Sequence, residues 1–385
     1  MKKILKSGMV VFPEKGEIRD VDVVIKDGKI YEIGENITGL STNQVMDLKG
    51  SFLSPGFIDL QVNGGGGVDF LTCESNELDR AGDFWLQGGT TSFLGTVITQ
   101  DIESMNDAIG TLLESDLPNL LGVHVEGPFL SPEKRGTHNK NHLKKPAKKY
   151  FDRIIRGHEK GIELFTFAPD VEGAVDLLNW VKEIEAEPSI GHTNAGYDTA
   201  LSFVEGGVSS FTHLFNGMRG FHHREPGTVG AALNSDAMVG LIADGLHLHP
   251  GAIQLVEKTK SPDEVCLITD AIAAAGMDDG EYVLGDQEII VENGLAKLDN
   301  GTIAGSTLTL DNAVSNYLEF TDAELLEAIQ AVTVNPADLL DRTGDIGTMK
   351  KGSLADFVVL DRELNVEYTI VNGEVVFESE DRSQR

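Results

Sequence analysis

Phe57-Ile58-Asp59-Leu60-Gln61-Val62 is the first of a series of apolar runs of strand length. Similar runs cover residues 90–98, 120–125, 162–168, 188–192, 209–213, 239–243 and 265–269, which makes eight. Segments with helical spacing of apolar residues separate most of them, such as 76–86, 102–113, 150–158 and 173–184. Strand alternating with helix implies parallel βαβ units, since a parallel partner is reached only through a crossover. Eight units predict an α/β chain built on a (β/α)8, TIM-like barrel.

Outside this series the rhythm changes. Val21-Asp22-Val23-Val24-Ile25 is joined to Ile30-Tyr31-Glu32-Ile33 across Asp27-Gly28, a strong hairpin signal. The other end repeats the grammar: a strand at 356–360, then 368–371 joined to 374–377 across Asn372-Gly373. Two β-rich ends around a non-β middle predict that both termini fold together as one small β-module. Residues 282–298 read as an inserted hairpin, and 322–332 as a helix. Gly64-Gly65-Gly66-Gly67 reads as a tight turn. It is not a phosphate loop, because no Lys-Ser/Thr follows and the GxGxxG spacing is missing.

The composition narrows the function. The 385 residues carry 31 Lys and Arg against 62 Asp and Glu, a net charge of −31. Such a chain does not bind nucleic acid generally, nor an anionic membrane surface. Cys73 and Cys266 are too few for a disulfide framework or a cysteine-rich zinc module. No signal-like apolar region follows Lys2 and Lys3, and no run has bilayer-spanning length, so the expectation is a cytoplasmic protein.

In a barrel of this type, chemistry gathers at the carboxyl ends of the strands. The third run ends His124-Val125-Glu126-Gly127-Pro128, the fifth Gly191-His192-Thr193, and the sixth Thr212-His213-Leu214. The seventh ends Asp244-Gly245-Leu246-His247 and the eighth Thr269-Asp270-Ala271. Glu126, His192 and His213 have the composition of a catalytic zinc site, with two imidazoles, one carboxylate and room for water. Asp270 is then the natural general base. Two imidazoles and a carboxylate would also accept iron, manganese or cobalt, although one zinc ion per chain is expected. His158 and His142 read as solvated, His249 as a helix cap, and His124 as a residue on the Glu126 face of its strand.

Taken together, these motifs resemble the amidohydrolase superfamily, and within it the N-acetylglucosamine-6-phosphate deacetylase family. The likeness runs from Ser54-Pro55-Gly56-Phe57-Ile58-Asp59 through His124-Val125-Glu126-Gly127-Pro128 and Thr212-His213-Leu214-Phe215-Asn216. It continues through Arg224-Glu225-Pro226-Gly227 and Asp244-Gly245-Leu246-His247 to Ile303-Ala304-Gly305-Ser306. The resemblance implies a small β-sandwich from residues 1–52 and 350–385 beside a barrel at 53–349. It implies metal ligation by Glu126, His192 and His213, with Asp270 as base and then acid. His138 would polarise the acetyl carbonyl. Thr137, His138, Asn216, Gly217, Arg224, His247, Ile303, Ala304 and Gly305 would bind the sugar phosphate.

The implied reaction converts N-acetyl-D-glucosamine 6-phosphate to glucosamine 6-phosphate and acetate, in amino-sugar breakdown and recycling. The implied assembly is a homodimer with Arg224 reaching the neighbouring site. Most of the superfamily carries His-x-His on the first strand, where this chain has Gln61-Val62-Asn63. Neutral amides are poor zinc ligands, so a single tightly held ion is expected. The competing readings are a deacylase for another N-acyl or cyclic amide, and a non-catalytic barrel scaffold.

Overall fold

The computed structural model describes residues 2–38 and 44–380. The eight apolar runs become parallel strands Phe57–Val62, Thr90–Ile98, Leu120–Glu126, Ile162–Phe167, Glu187–Ile190, Ser210–Phe211, Met238–Leu241 and Val265–Leu267. Neighbours in the chain are neighbours in the sheet. The ring closes where the Asp270 N–H donates to the Gln61 carbonyl at 2.9 Å and the Asn63 N–H to Ala271 at 2.8 Å. A helix follows each strand, from Leu78–Gln87 after the first to Leu310–Phe320 after the eighth. The runs are apolar on both faces because one face fills the barrel and the other meets the helices. Phe93, Phe165 and Phe211 are fully buried there.

Strand pairing stops short of the predicted ends at 192, 213 and 269. The reason lies in the backbone. His192, His213 and Asp270 have φ of 45°, 32° and 50°, a left-handed turn that takes the chain off the strand.

Among the described residues, strands from both ends of the chain share one eight-stranded sheet. Phe52–Pro55 runs parallel to Lys2–Phe12 and antiparallel to Phe357–Leu360, which ties the two ends together. The sheet encloses its own apolar cluster, including Leu5, Val23, Leu53 and Phe357. Both hairpin signals are realised, with positive φ at Asp27 and Gly28 and at Asn372 and Gly373.

The insertion after the eighth strand is larger than the expected hairpin. It is a three-stranded antiparallel sheet, Gly280–Leu284, Gln287–Glu292 and Leu295–Lys297. The helix expected at 322–332 is the shorter Leu325–Gln330, because Glu324 and Glu327 form a capping box that starts it late. Gly64–Gly65 pairs with Val68–Asp69 as a tight hairpin. The Gly66 and Gly67 N–H groups donate to the Ala275 and Ala273 carbonyls and face no ligand. No helix among the described residues is long and apolar enough to cross a membrane.

The barrel seam is pinned by Asp59, which is fully buried. Its Oδ1 accepts from the backbone N–H of Gln61 at 3.1 Å and of Thr269 at 3.3 Å, and its Oδ2 from the Thr269 hydroxyl at 2.6 Å. Burial pushes this carboxyl from 3.8 up to about 7, against those hydrogen bonds. The folded state therefore holds the proton more tightly than the unfolded chain. Stability is then lost as pH rises from near 4 to about 7, by up to about 4 kcal/mol. Asp59→Asn keeps an acceptor for the two N–H groups and cannot ionise. The melting temperature of this variant, measured against the parent, should gain between pH 5 and pH 7.5. A gap that stays constant with pH would show that Asp59 does not titrate in that window.

Candidate active site

The left-handed turns at His192 and His213 swing both imidazoles to the centre of the barrel mouth, over the Glu126 carboxylate. His192 Nε2 lies 3.2 Å from Glu126 Oε1, His213 Nε2 lies 3.0 Å from the same oxygen, and the two nitrogens are 3.1 Å apart. His192 Nδ1 sits 2.9 Å from the Lys134 carbonyl, so it carries the proton and Nε2 presents a bare lone pair. A bare His192 nitrogen, the His213 nitrogen and a carboxylate oxygen this close call for a positive charge among them. Ligands about 2.0–2.1 Å from one tetrahedral ion stand roughly 3.3 Å apart, close to this spacing. The donor set fits a single divalent ion, and the three side chains are buried. Burial opposes the charge on Glu126, but His192 and His213 outweigh it and hold the carboxyl well below its usual range.

Gln61 and Asn63 occupy the positions where a second metal's ligands would stand. They act instead as donors. Asn63 Nδ2 donates to Asp270 Oδ1 at 2.8 Å, and Gln61 Nε2 lies 3.1 Å from the same oxygen and 3.3 Å from Glu126 Oε1. Asp270 is thereby fixed through one oxygen, and it lines the cavity. Burial raises its carboxyl above the ordinary value, reinforced by the nearby Glu126 and opposed by His213, His247 and Asn63. A raised carboxyl beside a polar cavity is the character of a general base.

The cavity measures about 800 Å³. Thr137, His138, Asn216, Gly217, His247, Ile303 and Gly305 line it together with the cluster and Asp270. His138 Nε2 is 3.1 Å from His192 Nε2 and 3.7 Å from Glu126 Oε2. Burial, then the neighbouring His192, lowers its pKa to about 3, so it is a neutral imidazole. Ala304 is wholly buried off the cavity, with its N–H bonded to the Ala296 carbonyl. Arg224 is also off the cavity of its own chain, exposed, with its guanidinium 2.9 Å from His223 Nε2.

Sequence reasoning missed several parts. Asp244 Oδ2 takes His247 Nδ1 at 2.6 Å and fixes the ring, a pairing that the i, i+3 spacing in Asp-Gly-Leu-His could have signalled. Leu284 and Thr302 bring the insertion and its return to the cavity wall, which nothing local announces. Of the remaining histidines, His249 caps its helix through the Gly251 N–H. His142 meets Asp286 at 3.3 Å. His124 lies one layer below the mouth, bonded to Thr166 Oγ1 at 2.8 Å, and burial lowers its pKa to about 4.

A barrel with this donor set at its mouth defines a class. Residues 52–376 match the amidohydrolase family, and the chain belongs to it. An N-acetylglucosamine-6-phosphate deacetylase of Lysinibacillus sphaericus is 35% identical over 95% of this chain and 96% of its own. An N-acetylgalactosamine-6-phosphate deacetylase of Escherichia coli O157:H7 is 33% identical over 94% of this chain and 96% of its own. The crystal structure of the N-acetylglucosamine-6-phosphate deacetylase from Pasteurella multocida superposes with a TM-score of 0.93 at 32% identity, covering 98% of this chain and all (100%) of that one. Within the amidohydrolases, the chain belongs to the N-acetylglucosamine-6-phosphate deacetylase family.

Packing around His192 yields a test. A Cβ on Gly217 would stand 2.7 Å from His192 Nδ1 and 3.1 Å from the Lys134 carbonyl, at a φ of 59° that side chains rarely adopt. Gly217→Ala should displace the imidazole and weaken divalent-metal affinity by about 10- to 100-fold, the usual scale for losing an orienting contact. Competitive titration against a zinc indicator checks it. Parental affinity would mean that His192 is not held by this contact.

Proposed function

We propose that the chain is a one-zinc deacetylase that hydrolyses N-acetyl-D-glucosamine 6-phosphate to glucosamine 6-phosphate and acetate in the cytoplasm, within amino-sugar breakdown and recycling. The observation that carries this reading is the convergence of Glu126, His192 and His213 on one point, with Asp270 fixed beside them. Glu126, His192 and His213 would hold the ion. When bound, it supplies an acidified water and positive charge for the developing oxyanion.

The chain's own groups do the rest. Asp270 takes a proton from the attacking water while Asn63 and Gln61 keep its carboxylate in place. It then returns that proton to the departing amine nitrogen as the C–N bond breaks. His138, neutral and buried, donates to the acetyl oxygen, a contact worth about 3 kcal/mol in the transition state. Asn216, Gly217, His247, Ile303 and Gly305 hold the sugar phosphate, with Thr137 beside His138.

No lysine or arginine lines the cavity among the described residues. A phosphate dianion seated there therefore needs a cation from elsewhere. This supports a homodimer in which Arg224 of one copy completes the site of the other. Phe221 and Leu246, both exposed apolar side chains, flank Arg224 and His247 in sequence and suit such an interface.

Three measurements test the reading. Acetate release from N-acetylglucosamine 6-phosphate should vanish with chelator and return with zinc, and it should exceed release from the galactose epimer. No release from either sugar phosphate sinks the proposal. Asp270→Asn should retain one zinc and lose about 10²- to 10⁴-fold in kcat. Near-normal turnover removes Asp270 from the reaction. Arg224→Ala should raise KM for the phosphorylated sugar at least about tenfold while leaving the unphosphorylated one unchanged. Equal effects on both would count against a phosphate contact.

A further inference from the structure

The inserted three-stranded sheet touches the mouth at three points. On one side, the Ala304 N–H donates to Ala296, and the same segment continues to Ser306, whose N–H bonds the Asp270 carbonyl at 2.9 Å. At the hairpin tip, the Gly285 N–H donates to Asp69 Oδ2 at 2.9 Å, which fastens the tip to the loop after the first strand. Gly285 has a φ of 61°, and a Cβ there would meet Leu71 at 2.8 Å, so the tip is closely seated. On the far side, Asp286 Oδ2 accepts from Asn139 Nδ2 at 2.7 Å and lies 3.3 Å from His142 Nε2. Asn139 and His142 belong to the loop that carries Thr137 and His138. Leu284, two residues before Asp286, is buried and forms part of the cavity wall.

We propose that Asp286 is a positioning residue, a latch that fastens the insertion to the Thr137–His138 loop and so holds the acetyl-facing wall of the cavity closed. This rests on the deacetylase reading for its kinetic consequence but not for its geometry. Asp286 is a partly exposed carboxylate, yet it keeps an ordered donor set. Gln287 Nε2 occupies Oδ1 at 2.9 Å, which leaves Oδ2 for the loop. Although burial opposes its charge, the donors Gln287, Asn139 and His142 hold the carboxyl below its ordinary value, so it remains an ionised acceptor. Acceptance by a charged oxygen strengthens each bond. The latch spans two segments far apart in sequence that have no common strand or helix. Its loss frees the loop without disturbing the barrel core.

The test uses the zinc-loaded full-length enzyme and four variants: Asp286→Ala, Asp286→Asn, Asn139→Ala and the double Asp286→Ala/Asn139→Ala. Asp286→Ala should raise KM for N-acetylglucosamine 6-phosphate about tenfold and also lower kcat by a smaller factor, because the freed loop carries His138. The double variant should be no worse than the worse single one, which is the signature of a shared contact. Asp286→Asn keeps an acceptor for Asn139 and should recover most of the loss. Hydrogen exchange provides the readout independent of turnover. In the alanine variants, amides of residues 134–147 should exchange at least about tenfold faster, with the barrel strands unchanged. Unaltered exchange in that loop, or strictly additive effects on KM, overturns the latch. Faster exchange in an enzyme that releases no acetate overturns the substrate reading and leaves the latch standing. Should Asp286→Ala fail to fold, Asn139→Ala and Asp286→Asn carry the same comparison.

Discussion

Everything at the mouth of this barrel depends on one electrostatic constraint. Two imidazole nitrogens and one carboxylate oxygen are held 3.0–3.2 Å apart in a place that water scarcely reaches. Lone pairs brought that close are repulsive, and low dielectric magnifies the cost. The arrangement is stable only with positive charge at its centre, so the protein must supply both the cage and the force that keeps it from opening. That force comes from the backbone. His192, His213 and Asp270 each adopt a left-handed conformation costing of order 1–3 kcal/mol. The parallel strands beneath them, largely buried and bonded on both edges, over-determine the position of each turn. Strain placed at strand ends is what aims three side chains at one point.

The amides of Gln61 and Asn63 extend the same logic. An imidazole pair at those positions would offer lone pairs to a second cation, and Asp270 would then serve as its ligand. Amide N–H donors reverse the polarity of the first strand's end. They hold Asp270 and Glu126 by hydrogen bonding, and they occupy Oδ1 of Asp270 twice. A carboxylate relieved of ligand duty is free to accept a proton. A single-ion site and a basic Asp270, as proposed above, would be two consequences of one pattern on one strand.

Much of this is legible in the sequence, for a physical reason. Parallel strands are buried on both faces and read as unbroken apolar runs, so Phe57–Val62 and its successors stand out. The polar residue that ends each run must then face the mouth. Asp-Gly and Asn-Gly announce the terminal hairpins because only such pairs accept two positive φ values in succession. Other features are not legible, because their partners lie far away along the chain. The sequence at Gln61 says what it does not bind, but not that it bridges Glu126 and Asp270. Ala304 looks equivalent to Ile303 and Gly305, yet an extended segment turns alternate residues away from the cavity. The insertion reads as a hairpin because its third strand, Leu295–Lys297, has only three residues, although Asn293-Gly294, with positive φ at both residues, marks the turn before it. Asp286 looks like any turn residue until the loop at 139–142 is placed opposite it.

The net charge of −31 then becomes a question of distance, not of sum. Screening confines a fixed charge to about 8 Å at physiological salt, so an arriving phosphate senses the rim and little else. The loop bearing Thr137 and His138 carries Lys134, Arg135, Lys140, Lys144 and Lys145 beside Glu133, and Lys145 is paired with Glu172. The acids inside are already engaged: Glu126 by imidazoles, Asp270 by amides, Asp244 by His247. Within the cavity the balance is different, because no lysine or arginine lines it among the described residues. With no basic side chain in that lining, any cationic side chain that meets the phosphate must come from outside the pocket. That is the position an exposed Arg224 on a second copy would fill.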